Sequence, residues 1–274
     1  MVVHWKGEFY MIPRPRKMKF TEGIAAKGVP VKEQICPELG VEEYCIHISP
    51  EQILLEGSPG IGLFYARTTL GQLRMIYGEE LPCMEIEDGP AYSYRSFQID
   101  CARHYFSVDE LKKMIRMSAE FKLNHFHWHI SDDQGFRLES RRYPRLHEIS
   151  SVRAGDHFGN YHSDQKSGGY YTRDEVKDIV DYCGNLGIEV VPEVDMPGHV
   201  TAILAAYPEL SCLGEPVEVG MKAGIFKELF CAGKEETFTF IEMLLDDLLE
   251  IFPGKYFHIG GDEAPKERWK ACPR

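Results

Sequence analysis

The sequence has no run of basic residues, and its formal net charge is −12. A phosphate-binding surface needs a local excess of Lys and Arg, so neither nucleic acid nor an anionic membrane surface is expected as a partner. No apolar run is long enough to span a bilayer. The N-terminal stretch from Met1 to Phe20 is broken by Lys6, Glu8, Arg14, Arg16, Lys17 and Lys19, which leaves no apolar core for a signal peptide. The eight cysteines (36, 45, 83, 101, 183, 212, 231 and 272) are dispersed, with no C-x-x-C pair. Dispersed cysteines without a secretory signal point to reduced thiols and a cytoplasmic location. Internal repeats at solenoid periods and low-complexity tracts are also missing. Tryptophan is scarce, with only Trp5, Trp128 and Trp269.

What is present suffices for a folded core. Hydrophobic residues make up 43% and aromatics 12% of 274 residues, a composition that opposes disorder and fits one large or two modest domains. Up to about residue 90 the pattern is strand-rich. Tyr44–Ile48 and Ile53–Leu55 read as strands separated by the turn signal Ser49-Pro50. Ser58-Pro59 is expected to open a helix as N-cap and first helical residue, with an apolar face of Ile61, Phe64, Tyr65, Thr68 and Ile76 and a stop at Gly78. The polar stretch from Glu85 to Pro90 is the expected boundary, giving a small α+β domain over 1–90 and a second domain over 91–274.

From Ser93 onward, strands alternate with helices. Phe97–Cys101, His125–Ile130, Ile188–Val194 and Tyr256–Ile259 are the predicted strands. Two helices open with capping boxes, Ser107 with Glu110 and Thr172 with Glu175. Val108, Leu111, Ile115 and Phe121 stripe the first; Val176, Ile179, Val180 and Cys183 stripe the second, which Gly187 closes. Ile241, Leu244, Leu245 and Leu248 mark a third, ending at Pro253-Gly254. The alternation predicts a parallel α/β sheet, either open or belonging to an eight-stranded barrel. A closed barrel takes about 250 residues, more than remain after position 90.

Each predicted strand runs into polar residues at its C-terminal end, where parallel α/β folds bind ligands. Arg103 follows the first, Ser131-Asp132-Asp133-Gln134 the second, Asp195-Met196-Pro197-Gly198-His199 the third, and Asp262-Glu263 the fourth, after a glycine turn. Two adjacent carboxylates suit glycosidic hydrolysis, in which one acid protonates the leaving oxygen and the other steadies positive charge at the sugar carbon. Alone, Asp262-Glu263 reads more readily as a solvated loop pair or an acidic turn at a helix start. Four consecutive strand ends bearing such groups favour a site.

Those segments carry a resemblance to a known family. Asp100-Cys101-Ala102-Arg103-His104-Tyr105-Phe106, His127-Trp128-His129-Ile130-Ser131-Asp132-Asp133-Gln134-Gly135, Val191-Pro192-Glu193-Val194-Asp195-Met196-Pro197-Gly198-His199 and His258-Ile259-Gly260-Gly261-Asp262-Glu263 resemble, in order and spacing, the family 20 glycoside hydrolases, the β-N-acetylhexosaminidases. The first ninety residues resemble the small domain that precedes the (β/α)8 TIM barrel in that family. The resemblance implies a retaining, substrate-assisted mechanism on a terminal N-acetylhexosamine, without metal or cofactor. In it Glu263 is general acid and base, Asp262 orients the 2-acetamido group, Arg103 grips sugar hydroxyls, and Asp132 with His199 adjusts the proton affinity of Glu263. It also implies a chain that ends after about the first four β/α units, without the tryptophans and tyrosine that wall the family's pocket.

Two further readings follow from the residues. A half barrel could be an inactive remnant or a weak carbohydrate binder, and self-association through the open sheet edge is expected in either case. His125, His127 and His129 alternate along one strand and so face one way. With Asp195 and His199 they could ligate zinc, which would make the chain a metal-dependent hydrolase.

Overall fold

The computed structural model describes residues 11–274. Trp5 and the first part of the charged N-terminal stretch lie outside the described residues. The chain forms two compact units: one ends at Arg95 and also takes Arg116–Asn124, and the other comprises Ser96–Ile115 and His125–Arg274.

The first unit is a five-stranded sheet with one helix, built from β1 (Lys17–Ala25), β2 (Val31–Ile35), β3 (Tyr44–Ile48), β4 (Ile53–Gly57), α1 (Gly62–Tyr77) and β5 (Leu81–Asp88). Its order is β1-β5-β3-β4-β2, with β2 parallel to β4 and the other pairs antiparallel. The alternate residues Tyr44, Ile46 and Ile48 pack with Ile53 and Leu55 against Tyr65, Ala66, Leu70 and Leu73 of α1. Ser58 does not cap this helix, which begins three residues beyond Pro59 and has no side-chain cap. Ser58 N–H instead donates to the Glu43 carbonyl at 2.9 Å. A Cβ at Gly62 would meet that same carbonyl oxygen at 2.7 Å, so the chain must clear this close approach before winding. Residues 85–88, expected in a boundary loop, are part of β5, with Ile86 buried. Below the sheet, Lys122 Nζ donates to Tyr44 Oη at 2.6 Å and to Asp88 Oδ2 at 3.1 Å, and Tyr44 donates to the same carboxylate oxygen at 2.5 Å.

The second unit begins with β6 (Ser96–Asp100), α2 (Val108–Glu120) and β7 (His125–Asp132). The long connection that follows holds β8 (Gly135–Phe136), α3 (Arg145–Glu148), β9 (Val152–Arg153), β10 (Asp156–Phe158), β11 (Tyr161–Ser163) and β12 (Ser167–Gly168). Then come α4 (Arg173–Asn185), β13 (Glu189–Val194), α5 (Thr201–Ala206), α6 (Glu235–Leu249) and α7 (Glu267–Ala271). Strands β6, β7 and β13 form a parallel sheet in the order β13-β7-β6, with β8 antiparallel on the end of β7. Both capping boxes form. Leu111 and Ile115 are buried, but Phe121 is 44% exposed, because it lies past the end of α2, where Lys122 turns the chain at φ 58°. Among the described residues no helix is long and apolar enough to cross a membrane.

Period-two alternation gives this sheet two chemically distinct faces. Phe126, Trp128 and Ile130 are fully buried on one side of β7, where Trp128 packs edge-on against Phe252 and Tyr171. His125, His127 and His129 take the other side, in register with Glu189, Val191 and Glu193 of β13. The fourth predicted strand is reduced to a single parallel bridge between Glu193 and His258. His258 N–H donates to the Pro192 carbonyl at 2.9 Å, and Val194 N–H donates to the His258 carbonyl at 3.1 Å. The next bond of that ladder would need an N–H on residue 192, which proline lacks.

The connection from 131 to 171 is a packed structure rather than a bare overhanging loop. Arg137 is fully buried in it and donates to the carbonyls of Cys101 at 2.9 Å and Ala102 at 2.6 Å. Gly168-Gly169, just before α4, is close-packed: a Cβ on Gly168 would lie 2.1 Å from the Ser151 carbonyl oxygen.

Candidate active site

The C-terminal ends of β6, β7 and β13 meet at one level, because Asp100 and Glu193 are both in register with His129. Just beyond that level the structure brings Arg103, Asp132, His199 and Glu263 into one chain of contacts. Arg103 Nη2 lies 2.6 Å from Asp132 Oδ2, and its Nη1 lies 2.9 Å from Asp100 Oδ2. Asp132 Oδ1 lies 3.2 Å from His199 Nδ1, and His199 Nε2 lies 3.4 Å from Glu263 Oε2. That last contact is not aligned as a hydrogen bond, so the buried Nε2 has no hydrogen-bond partner among the described residues.

Local structure explains why these side chains stay in place. Asp133, next to Asp132, accepts from Thr201 N–H at 3.0 Å and Thr201 Oγ1 at 2.5 Å through one oxygen, and faces His199 Nδ1 at 3.1 Å with the other. Asp195 N–H donates to Ser131 Oγ at 3.1 Å, which ties the turn after β13 to the end of β7. Asp195 Oδ1 in turn accepts Gly261 N–H at 3.1 Å. A Cβ on Gly260 would fall 1.6 Å from that oxygen, so only glycine allows the acidic turn to seat there. His199 and Glu263 both sit in the left-handed region, at φ 52° and 43°, a backbone state costing about 1–3 kcal/mol that persists only where the surroundings enforce it.

The charges are strongly organised. Burial works against the Asp132 anion, yet His129, His199 and Arg103 outweigh it and hold the carboxyl down at about 2. The hydrogen bonds of His199 to Asp132 and Asp133 raise the imidazole to about 11 despite burial. Burial lowers His129, but Asp132 and Glu193 at its two nitrogens more than reverse this and bring it to about 9. Arg103 is opposed by burial and held raised by Asp132 and Asp100. Asp195 moves the other way: burial first, and then its neighbour Asp262, raise it to about 7.

The predicted residues thus come together, with Asp262 hydrogen-bonded to Asp195 and within 4.8 Å of His199 and Glu263. Sequence reasoning missed Asp100, Asp133 and Glu193 and gave His129 a different role. The signal that finds them is cross-strand register at the sheet end. The three imidazoles of β7 do not converge on one ion. His125 lies 3.8 Å from Glu189, and both nitrogens of His129 are engaged, by Glu193 at 2.5 Å and Asp132 at 2.9 Å. His127 does meet Glu193 at 2.6 Å and His258 across the same carboxylate. Two other groupings close enough to hold a cation, Asp132 with Asp195 and His199 and His199 with Asp262 and Glu263, share His199.

Known proteins are similar to this chain over most of its length. The chain matches the model for the glycosyl hydrolase family 20 catalytic domain over residues 92–274 and the model for that family's domain 2 over residues 13–89. It is 42% identical over 241 residues to a beta-hexosaminidase of Porphyromonas gingivalis, covering 84% of this chain and 30% of that protein. It is 38% identical over 270 residues to a beta-hexosaminidase of Akkermansia muciniphila, covering 97% of this chain and 54% of that one. A crystal structure of a beta-N-acetylhexosaminidase superposes with a TM-score of 0.90 at 38% identity, over 97% of this chain and 57% of that chain. The chain therefore spans from under a third to somewhat over half the length of these relatives.

Proposed function

The chain belongs to glycosyl hydrolase family 20, and from that premise we propose that it carries the acid–base apparatus of a β-N-acetylhexosaminidase, acting on a terminal β-linked N-acetylhexosamine. Residues 1–90 are read as the small accessory domain and 91–274 as the first half of a (β/α)8 barrel, with 256–259 as its fourth strand. The observation that carries the reading is the unbroken contact chain Arg103–Asp132–His199–Glu263, with Asp262 beside it on Asp195.

In this reading the 2-acetamido oxygen attacks the anomeric carbon while the bond to the leaving oxygen breaks, and Glu263 gives that oxygen its proton. The oxazolinium so formed carries positive charge beside Asp262, which orients the acetamido group and sits against Asp195. Water then adds to the same carbon, Glu263 takes its proton, and the ring reopens with configuration retained. This is the substrate-assisted exception to the two-carboxylate covalent route. Glu263 needs both protonation states. Its side chain is 53% exposed and lies 3.4 Å from His199 Nε2, so it can meet the leaving oxygen in the first step and the incoming water in the second. Arg103, held by two carboxylates, presents its remaining donors to sugar hydroxyls. Self-association along the edge beside 256–259, where Ile259 is exposed, belongs to the same reading. Light scattering at micromolar concentration should give a mass above that of one chain, and a monomer would refute that part.

The test is turnover of an aryl N-acetyl-β-glucosaminide by this chain and by its Glu263→Gln variant. Cleavage lost in the variant supports the reading. A folded chain that binds N-acetylglucosamine but does not cleave would instead be a carbohydrate-binding protein, as the exposure of Glu263 would allow.

A further inference from the structure

The cysteines that look dispersed in the sequence are not all dispersed in space. Cys212, Cys231 and Cys272 bring their Sγ atoms within 4.8 Å of one another. Cys231 and Cys272 are 3.7 Å apart at sulfur and are not joined as a disulfide. A disulfide requires about 2.05 Å and uses two sulfurs, leaving the third unexplained. The edge of a tetrahedron with zinc–sulfur bonds of about 2.3 Å is about 3.8 Å, close to the observed sulfur separation. As free thiols, Cys231 and Cys272 share an S–H···S contact; as thiolates the three would be held together by a cation, and soft thiolate ligands select zinc among the common divalent ions.

We propose that Cys212, Cys231 and Cys272 form a structural zinc site, with the fourth tetrahedral position filled by water or another donor.

The surroundings of the cluster are built, not incidental. Cys231 N–H donates to the Leu210 carbonyl at 2.8 Å, and Cys272 N–H donates to the Trp269 carbonyl at 3.1 Å. Trp269 Nε1 donates to the Phe230 carbonyl at 2.8 Å, and Arg268 Nε donates to Glu228 at 3.0 Å. Lys234 Nζ donates to the carbonyls of Glu209 at 2.5 Å and Ser211 at 2.7 Å. These bonds fix three separate backbone segments around the sulfurs, as outer-shell contacts do at metal sites. Phe230 N–H also donates to the Pro197 carbonyl at 3.0 Å. The ion would thus clamp the segment after Asp262-Glu263, through Trp269 and Phe230, to the turn that carries His199. Its role is to hold two arms of the site in place, and it takes no part in bond making.

The inference does not depend on the proposed hydrolase activity, because its readout is metal content. Chain purified under reducing conditions without chelator should contain one zinc per polypeptide, released on titration with a mercurial thiol reagent. Cobalt substitution should give thiolate-to-cobalt charge-transfer absorption and the d–d bands of a tetrahedral site. Cys272→Ser, at the half-buried sulfur, should weaken zinc binding by at least about tenfold, since even outer-shell changes cost about 10–100-fold. Should that variant misfold, the cobalt spectrum and zinc content of the unmodified chain decide the question. Protein that takes up no zinc in its presence, a cobalt spectrum without thiolate bands, or a Cys231–Cys272 disulfide formed in place of metal would each overturn the proposal.

Discussion

Two regions of the molecule bury a cation against an acid, and they end differently. In the N-terminal unit, Lys122 lies on Asp88 with both side chains under a tenth exposed, and Tyr44 and Thr69 complete the hydrogen bonds. Asp88 Oδ1 also accepts the Arg16 backbone N–H at 3.1 Å, a contact that adds no acid to the cluster, and burial lowers Lys122 while raising Tyr44. In the second unit, Arg103 and His199 lie on a fully buried Asp132, but the chain of contacts continues to Glu263, whose side chain is half in water. A buried ion pair by itself reports architecture. One that ends on an exposed acid, next to an imidazole nitrogen without an aligned partner, reports chemistry.

Substitutions can break that contrast. Glu263→Gln should lower kcat/KM by about 10²–10⁴, the usual contribution of a positioned acid–base group, and leave the denaturant midpoint unchanged. Asp88→Ala should do the reverse. Removing one member of a buried pair costs about 3–5 kcal/mol, seen as a lower midpoint in chemical denaturation, while the shape of the pH–rate profile is kept. Asp132→Asn tests whether the second network acts through His199. Losing a hydrogen bond to a charged group costs about 1.5–3 kcal/mol, so kcat should fall by about ten- to a hundredfold, with a displaced pH profile that a merely structural residue would not produce.

Proton linkage sharpens the comparison further. Asp195 is raised to about 7 in the folded chain, so the folded state keeps a proton that the unfolded state releases near pH 4. Its contribution is favourable below that pH and is lost as pH rises through 7. Asp195→Asn should therefore flatten stability between pH 5 and pH 8, as measured by urea midpoints. His199, raised to about 11, contributes fully below about pH 6.5 and loses that contribution above it. Asp132, lowered to about 2, contributes above about pH 4 and loses that as pH falls toward 2. The smallest effect is expected from Thr172→Ala, which removes the cap of α4 and touches no member of either network. It should cost about 1 kcal/mol of stability and leave the pH–rate profile in place.

Much of this was legible from residue patterns, and the failures have physical causes. The strand–helix rhythm after Ser93 emerged clearly because β7 and β13 are buried on at least one face and α2 and α4 carry capping boxes. Strands β1 and β2 left no signal because nearly all their residues are exposed, and period-two patterning arises only where one face meets a core. The start of α1 shifted because a glycine contact, invisible to capping rules, outweighed Ser58-Pro59. The fourth strand shrank because Pro192 sits on its neighbour. Arg103, Asp132, His199 and Glu263 could be picked out because each follows a strand. Asp133 and Glu193 could not, since their importance lies in which imidazole they face, and the cysteine cluster joins residues 60 positions apart.

The central claim is that the substrate's own acetamido group, oriented by Asp262 on its Asp195 seat, does the nucleophilic work. It is tested most directly by kcat/KM on aryl 2-acylamido-β-glucosides with zero to three fluorines on the acyl methyl. If the carbonyl oxygen attacks the anomeric carbon, rates should fall steadily with each fluorine as that oxygen loses electron density. Rates independent of fluorination, or a folded chain with no turnover of the unfluorinated substrate, would contradict the account.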